Sequence, residues 1–329
     1  VWSSPGWLDG AVSWLDAQLV AAGIERTGAV EQPRVRPWAT VLRAPTSGGV
    51  VWLKAAGPGT AFEVGLYELL ARVVPDRVLA PLAVDLERSW IALPDGGPSL
   101  GERFADAAQV EPLAAALVHY GRLQLDLAPH VDEMLAAGVP DMRPAVMPQR
   151  FAEALDATAG SLDAPGRATH RRIAAMAPTV AAWCEELAAS ALPPSLDHND
   201  LHAGNVLGDD PARGDVRFYD WGDSVVAHPL ATLLVPLKMV RHLLGVGDDD
   251  PALLRVRDAY LAVFRDAAPA EDLVATLERA AHVAKIARAL TWDRAVRTAL
   301  EAGEEVPDEW ATAALVTLGY VLDASYLGD

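Results

Sequence analysis

The chain has 329 residues, 51% of them hydrophobic and 22% charged, a balance that excludes disordered and collagen-like classes and suggests roughly two domains or two lobes. Its net charge of −18, from 27 Lys and Arg against 45 Asp and Glu, suits a nucleic-acid backbone poorly, so no nucleic-acid partner is expected. The longest apolar runs, Ala311 to Leu322 and Leu230 to Pro236, fall short of the roughly 18–20 residues of a membrane span, and a single cysteine, Cys184, excludes an intrachain disulfide or a Cys-rich zinc site.

Val1-Trp2-Ser3-Ser4-Pro5 carries neither a basic nor an apolar leader, which with the lone cysteine leads to the expectation of a reducing cytoplasm. Pro5 suits a first helical position, and Leu8, Val12, Leu15 and Leu19 recur at helical spacing until Gly23. From Val30 the pattern becomes strand-like: Ala39 to Ala44, a turn at Pro45-Thr46-Ser47-Gly48-Gly49, and Val50 to Ala55 predict a hairpin. Thr60 then opens a helix with Leu66, Leu69, Leu70 and Val73 on one face, stopped by Pro75. Two short strands, Val78 to Asp85 and Ser89 to Leu93, lead into the linker Pro94-Asp95-Gly96-Gly97-Pro98.

Beyond the linker the pattern predicts helices over Val110 to Leu127, Pro148 to Ala159, Thr169 to Ala189, Pro229 to Leu244, Pro251 to Ala267, Ala270 to Leu300 (with a break) and Glu309 to Ser325. They are interrupted at 195–219, where Val206-Leu207 and Val216 to Tyr219 predict a ribbon around Asp209-Asp210-Pro211. Residues 1–100 carry 8 basic and 10 acidic side chains, the remainder 19 and 35. Such an acidic helical part would attract cationic ligands, or simply keep an Ala-rich surface soluble.

The most specific string is Leu196-Asp197-His198-Asn199-Asp200-Leu201-His202-Ala203-Gly204-Asn205, followed across the ribbon by Phe218-Tyr219-Asp220-Trp221-Gly222. A loop, a tight ribbon and a second loop would bring Asp200, Asn205 and Asp220 together. Oxygen donors of this kind suit Mg²⁺ bridging phosphates, and a carboxylate left free of metal can orient a hydroxyl and accept its proton. A second reading takes His198, Asp200 and His202 as ligands of a metal-dependent hydrolase.

His-x-Asp-x-x-x-x-Asn followed by Asp-Trp after a short ribbon resembles the aminoglycoside phosphotransferase family, which is similar in turn to choline kinases, fructosamine kinases and, more distantly, protein kinases. The resemblance implies an α+β, bilobal, protein-kinase-like fold. Residues 1–94 would form a β-rich nucleotide-binding lobe, 95–98 a hinge, and 99–329 a helical lobe with the catalytic loop and substrate site. It implies ATP and Mg²⁺ as cofactors, Asp200 as the catalytic aspartate, His198 as its brace, and Asn205 and Asp220 as the metal ligands. Lys54, one of only three lysines and set in the apolar run Val51-Trp52-Leu53, would hold the nucleotide phosphates. Glu63 would position it, although Thr60-Ala61-Phe62-Glu63 also reads as a capping box, with Glu68 the fallback.

Because Pro94 has no N–H, the Leu93 carbonyl and the Asp95 amide are the expected adenine partners at the hinge. Two departures from the family pattern stand out. No Gly-rich loop precedes Lys54, so Arg36-Pro37-Trp38 would cover the phosphates. Thr232 stands where an Asp usually braces the catalytic loop, leaving Thr232 itself or Asp223 to do so. Asp223, Trp292 and Asp293 are the candidate contacts to a small-molecule hydroxyl acceptor, for which a cationic aminoglycoside or aminosugar is the first candidate. A catalytically weak nucleotide-binding pseudokinase, or a kinase of another metabolite or natural-product alcohol, is the alternative. Trp183 and Cys184 read as core.

Overall fold

The computed structural model describes residue 2, residues 4–160 and residues 164–328; of the N-terminal pentapeptide, positions 1 and 3 lie outside the described residues. The fold is α+β. Five strands, β1 (Glu31–Val35), β2 (Ala39–Thr46), β3 (Gly49–Ala56), β4 (Ala83–Asp85) and β5 (Trp90–Pro94), form one antiparallel sheet in the order β1-β2-β3-β5-β4. The predicted hairpin is β2–β3, its turn narrowed to Ser47 and Gly48. Of the segment predicted as a strand from Val78, only Ala83–Asp85 is strand, preceded by the Leu82 amide donating to the Ala92 carbonyl at 2.8 Å.

Strand alternation decides which way β3 presents its side chains. Val51, Leu53 and Ala55 are buried against α1 (Pro5–Ala21), whose Ala11, Leu15 and Leu19 form the facing stripe. Trp7 and Trp14 close the edge of this layer by meeting the Trp90 ring edge-on at 6.0 and 5.7 Å. Trp52 and Lys54 therefore point to the other face, toward the helical part. Helix α2 (Phe62–Val73) follows a short turn at Pro58–Thr60 and joins the larger core with Val64, Leu66, Tyr67, Leu69 and Leu70.

The helical part is built around the helices Val110–Leu127 and Leu273–Glu301. The second runs 29 residues without the expected break. By contrast, the segment predicted as one helix over Thr169 to Ala189 is two, Ala164–Ala174 and Ala177–Ala188. Pro178 explains the interruption: it lacks the N–H of a continuing helix and sits in the first turn of the second one. The C-terminal segment is similarly divided into Asp308–Ala311, Ala313–Gly319 and a 3-10 turn at Tyr320–Leu322. No helix among the described residues is long and apolar enough to cross a membrane.

Two nested ribbons hold the motif loops. The predicted one pairs Val206–Leu207 with Arg217–Phe218. An outer one, not anticipated from the sequence, pairs Ser195–Asp197 with Val225–Ala227. The first loop (198–205) and the second (219–224) thus share a pairing at each end, which forces them side by side.

The sheet region meets the long helix at Gly59, where an added Cβ would lie 2.4 Å from the Arg294 carbonyl oxygen. Gly10, exposed on α1, has open space around it. Gly59→Ala is expected to lower stability by about 1–3 kcal/mol through overpacking, while Gly10→Ala raises it by about 0.5–1 kcal/mol through helix propensity. Thermal unfolding of both variants checks this, and a neutral Gly59→Ala would refute the close approach.

Candidate active site

Lys54 Nζ lies 2.7 Å from Glu63 Oε1 and 2.5 Å from Asp220 Oδ1. Three separate segments meet at this ammonium: β3, the first turn of α2, and the second motif loop. Burial alone would lower the Lys54 pKa, but Asp220 and Glu63 together hold it above the ordinary lysine value. Glu63 is 1% exposed, and its Oε1 also accepts the Trp221 amide at 3.0 Å. Burial pushes its carboxyl up and Lys54 opposes that. The capping-box alternative does not form. The Thr60 hydroxyl donates instead to the Trp38 carbonyl at 2.9 Å, and no side chain caps the start of α2. Glu68, the fallback, is exposed.

Asp220 adopts φ +65°, a left-handed conformation uncommon outside glycine and tolerated better by Asp and Asn. Burial drives its carboxyl up, but Lys54 and Arg34 together hold it below the usual carboxylate range. Its Oδ2 is 4.0 Å from Arg34. Asn205 donates its side-chain amide to the Asp200 carbonyl at 2.9 Å, which leaves Oδ1 as its atom for a cation. Asn205 Oδ1 and the Asp220 carboxylate are hard oxygen donors, the set Mg²⁺ takes in company with phosphate oxygens. Among the described residues no group of three or more His, Cys, Asp or Glu could hold a metal, so the hydrolase reading of His198, Asp200 and His202 finds no ligand cluster.

Asp200 is gripped from the far side of the cleft. Its Oδ1 lies 2.6 Å from Nη2 of Arg288, on the long helix, and its Oδ2 lies 3.6 Å from His202 Nε2. Burial would raise its pKa, but Arg288 and His202 hold it well below the usual range, so Asp200 stays ionised. Arg288 also reaches Asp223 Oδ2 at 2.8 Å and the Asn199 carbonyl. The sequence reading missed Arg288. Its signal was a charged residue within a helical stretch whose neighbours Ile286, Ala287, Ala289 and Leu290 are all buried.

His198 is fully buried, with Nε2 3.0 Å from the Tyr219 carbonyl and its ring 4.8 Å from that of Trp221. Burial lowers its pKa. It therefore ties one motif loop to the other and lies behind the reacting groups. The loop brace differs from the expectation in where its acid sits: it is Asp197, the last residue of the strand that leads into the first motif loop. Its Oδ1 accepts the Asn199 amide at 2.8 Å and the Thr232 hydroxyl at 2.9 Å, and Thr232 in turn accepts from Gln124 at 2.9 Å. Asp223 is not the substitute brace, since its side chain is engaged by Arg288.

A cleft of about 350 Å³ is lined by Lys54, Asp200, Asn205, Asp220, Asp223 and Arg288, with Arg34, Arg36 and Trp38 from the β1–β2 connection. The predicted acceptor pair separates: Trp292 lines the cleft, whereas Asp293 pairs with Arg297 one turn along the helix. At the linker the Asp95 amide donates to the Val50 carbonyl at 3.0 Å, and Leu93 pairs with Trp52 in the sheet. The expected adenine donor at Asp95 is thus corrected, because the sheet has already claimed that amide. Cys184 is buried in the core, where burial pushes its thiol up to about 11, and Trp183 stacks on His282 at 4.6 Å.

A model of the phosphotransferase enzyme family matches residues 40–273. No curated protein matches the sequence. In fold the chain is similar to the macrolide 2′-phosphotransferase MphH from Brachybacterium faecium, with a TM-score of 0.58 at 18% identity over 94% of this chain and 98% of that one. It is likewise similar to the choline kinase LicA from Streptococcus pneumoniae, with a TM-score of 0.56 at 11% identity over 93% of this chain and 98% of that one. A third similar structure is the amicoumacin kinase hAmiN in complex with AMP-PNP, Ca²⁺ and Ami, with a TM-score of 0.55 at 12% identity over 98% and 97% of the two chains.

Burial lifts the Asp197 carboxyl to about 6, against the pull of its bonds from Asn199 and Thr232. The folded chain thus keeps a proton that the unfolded chain releases near pH 4, so this group's contribution is complete below about pH 4 and lost as pH rises through about 6. Asp197→Asn cannot ionise. Between pH 4 and 7 the wild type is expected to lose up to roughly 3 kcal/mol relative to this variant. Melting curves across that window measure it, and a constant gap between the two Tm values would contradict it.

Proposed function

We propose that this chain, which belongs to the phosphotransferase enzyme family, transfers the γ-phosphoryl group of ATP to a hydroxyl of a small molecule. The observation that carries the proposal is the meeting of Lys54, from the sheet, with Asp220, from the second motif loop, at 2.5 Å in the cleft that Asp200 and Asn205 also line. In this reading the residues up to 94 present the nucleotide and those from 99 onward present the acceptor, as two lobes about the 95–98 connection. Structures similar in fold include a macrolide phosphotransferase and a choline kinase, which supports a small-molecule acceptor.

Lys54 offers a compact charge to the phosphate oxygens, and Glu63 fixes its position from a site shut off from water. Arg34 and Arg36 line the same cleft from the β1–β2 connection and add positive charge where a Gly-rich loop is missing. Asn205 and Asp220 would hold Mg²⁺, which when bound neutralises phosphate charge during transfer. Asp200 orients the acceptor hydroxyl and takes its proton as the new bond forms. Its depressed pKa suits that late role, because a loose phosphoryl transition state needs little prior deprotonation. Catalysis would thus consist mainly of positioning and charge neutralisation.

The pseudokinase alternative loses ground on one observation. The brace expected from an Asp at 232 is present in another form, as Asp197 with the Thr232 hydroxyl at 2.9 Å.

Asp200→Ala is expected to cut kcat by roughly 10²- to 10⁴-fold while leaving ATP affinity within a few-fold. Lys54→Met should instead weaken ATP binding. An ATP-consumption screen over aminoglycosides, aminosugars, neutral sugars and amino alcohols, paired with calorimetric ATP titration, separates the two. Equal turnover by wild type and Asp200→Ala would sink the assignment.

A further inference from the structure

The acidic helical part suggests a cationic acceptor, but the cleft is not where its acid excess is spent. Each carboxylate lining the cleft is already paired with a cation of the chain: Asp220 with Lys54, and both Asp200 and Asp223 with Arg288. With Lys54, Arg34 and Arg36 assigned to the nucleotide phosphates, the cation of the lining left on the acceptor side is Arg288, which both Asp200 and Asp223 share. An acceptor bearing several ammonium groups needs carboxylates with unused capacity, since each ammonium must exchange its water for charge-assisted bonds.

Arg288 is central to this balance. Its side chain is 17% exposed, and its three acceptors, the Asn199 carbonyl and the Asp200 and Asp223 carboxylates, come from both motif loops. The guanidinium is ionised at any working pH and its fork is matched to two carboxylates at once. One guanidinium against two carboxylates leaves a single net negative charge, so Arg288 is not an open anion site, and little charge remains for an acceptor carrying several ammonium groups. The remaining wall is aromatic. Trp292 lines the cleft and stands edge-to-face with Trp38 at 6.2 Å and 87°, and Trp310 backs Trp38 at 5.2 Å. Arg288 also lies over the Trp292 ring at 5.9 Å, and an aromatic wall beside carboxylates already engaged by that cation fits a ligand with an apolar ring face and hydroxyl edges.

Resting on the phosphotransferase reading, we propose that Arg288 sets the charge selectivity of the acceptor site. By occupying Asp200 and Asp223 it fits the site to an uncharged, sugar-like hydroxyl compound stacked along Trp292 and turns away polycationic acceptors. Arg288 acts through the two aspartates and is a specificity-determining and positioning residue.

The test compares kanamycin, a polycation, with neutral methyl glycosides and inositols, in the presence of Mg²⁺ and ATP for turnover or AMP-PNP for binding. Wild type should transfer phosphate to neutral acceptors in preference to kanamycin and should bind kanamycin only weakly. Arg288→Met frees two carboxylates and should bind kanamycin roughly tenfold more tightly or better, whereas Arg288→Lys, which keeps the charge but loses the two-pronged fork, should show a smaller gain. A gain of binding cannot come from a merely damaged fold. Should Arg288→Met not fold, Arg288→Gln takes its place with the same expectation.

Tight kanamycin binding by wild type, preferential kanamycin phosphorylation, or no gain in the uncharged variants would overturn the assignment. A wild type that fails to bind Mg²⁺ and ATP in calorimetry would instead bring down the phosphotransferase reading. Normal nucleotide binding with transfer to polycations would bring down the role of Arg288 alone.

Discussion

Three chain segments converge on one ammonium group. Lys54 sits between the Glu63 and Asp220 carboxylates, 2.7 and 2.5 Å away, and the three groups together carry an excess negative charge. A buried ion cluster of this kind contributes little net stability, because desolvation consumes most of the Coulomb gain, yet removing one partner costs about 3–5 kcal/mol. Its consequence is therefore geometric. β3, α2 and the second motif loop cannot drift apart without leaving a charge stranded away from water. Of the two carboxylates, Asp220 lines the cleft and Glu63 lies behind it, away from water.

The nested ribbons do for the backbone what this cluster does for the side chains. Pairing Ser195–Asp197 with Val225–Ala227 outside and Val206–Leu207 with Arg217–Phe218 inside fixes both ends of both loops. His198 then ties the loops to each other through the Tyr219 carbonyl, and Asp197 ties the first loop to Thr232. The Thr232 hydroxyl donates to the Asp197 carboxyl, a contact that a second acid at 232 could make only by holding a proton of its own.

Charge is distributed on two scales. The whole chain is strongly acidic at −18, while the cleft is lined by cations that match its carboxylates. The long-range field and the contact chemistry therefore ask for different ligands. The contacts decide specificity, because they act where water is excluded and the effective dielectric is low.

The motif string 196–222 and the inner ribbon were legible in the sequence because each depends on spacing within a short stretch, and Lys54 and Glu63 were singled out through the family resemblance that the string carries. Helical period placed the core stripe of α1, whereas the face that Lys54 takes became clear from the burial of Val51, Leu53 and Ala55. What spacing could not fix was anything decided by partners far along the chain. The Asp95 amide was lost to Val50 across the sheet, Asp293 turned to Arg297, and Arg288 closed on two aspartates from 88 and 65 residues away. A sequence lists the groups able to form hydrogen bonds and ion pairs. Only the folded chain, in which each buried donor and acceptor must be satisfied once, decides which of them are already spent.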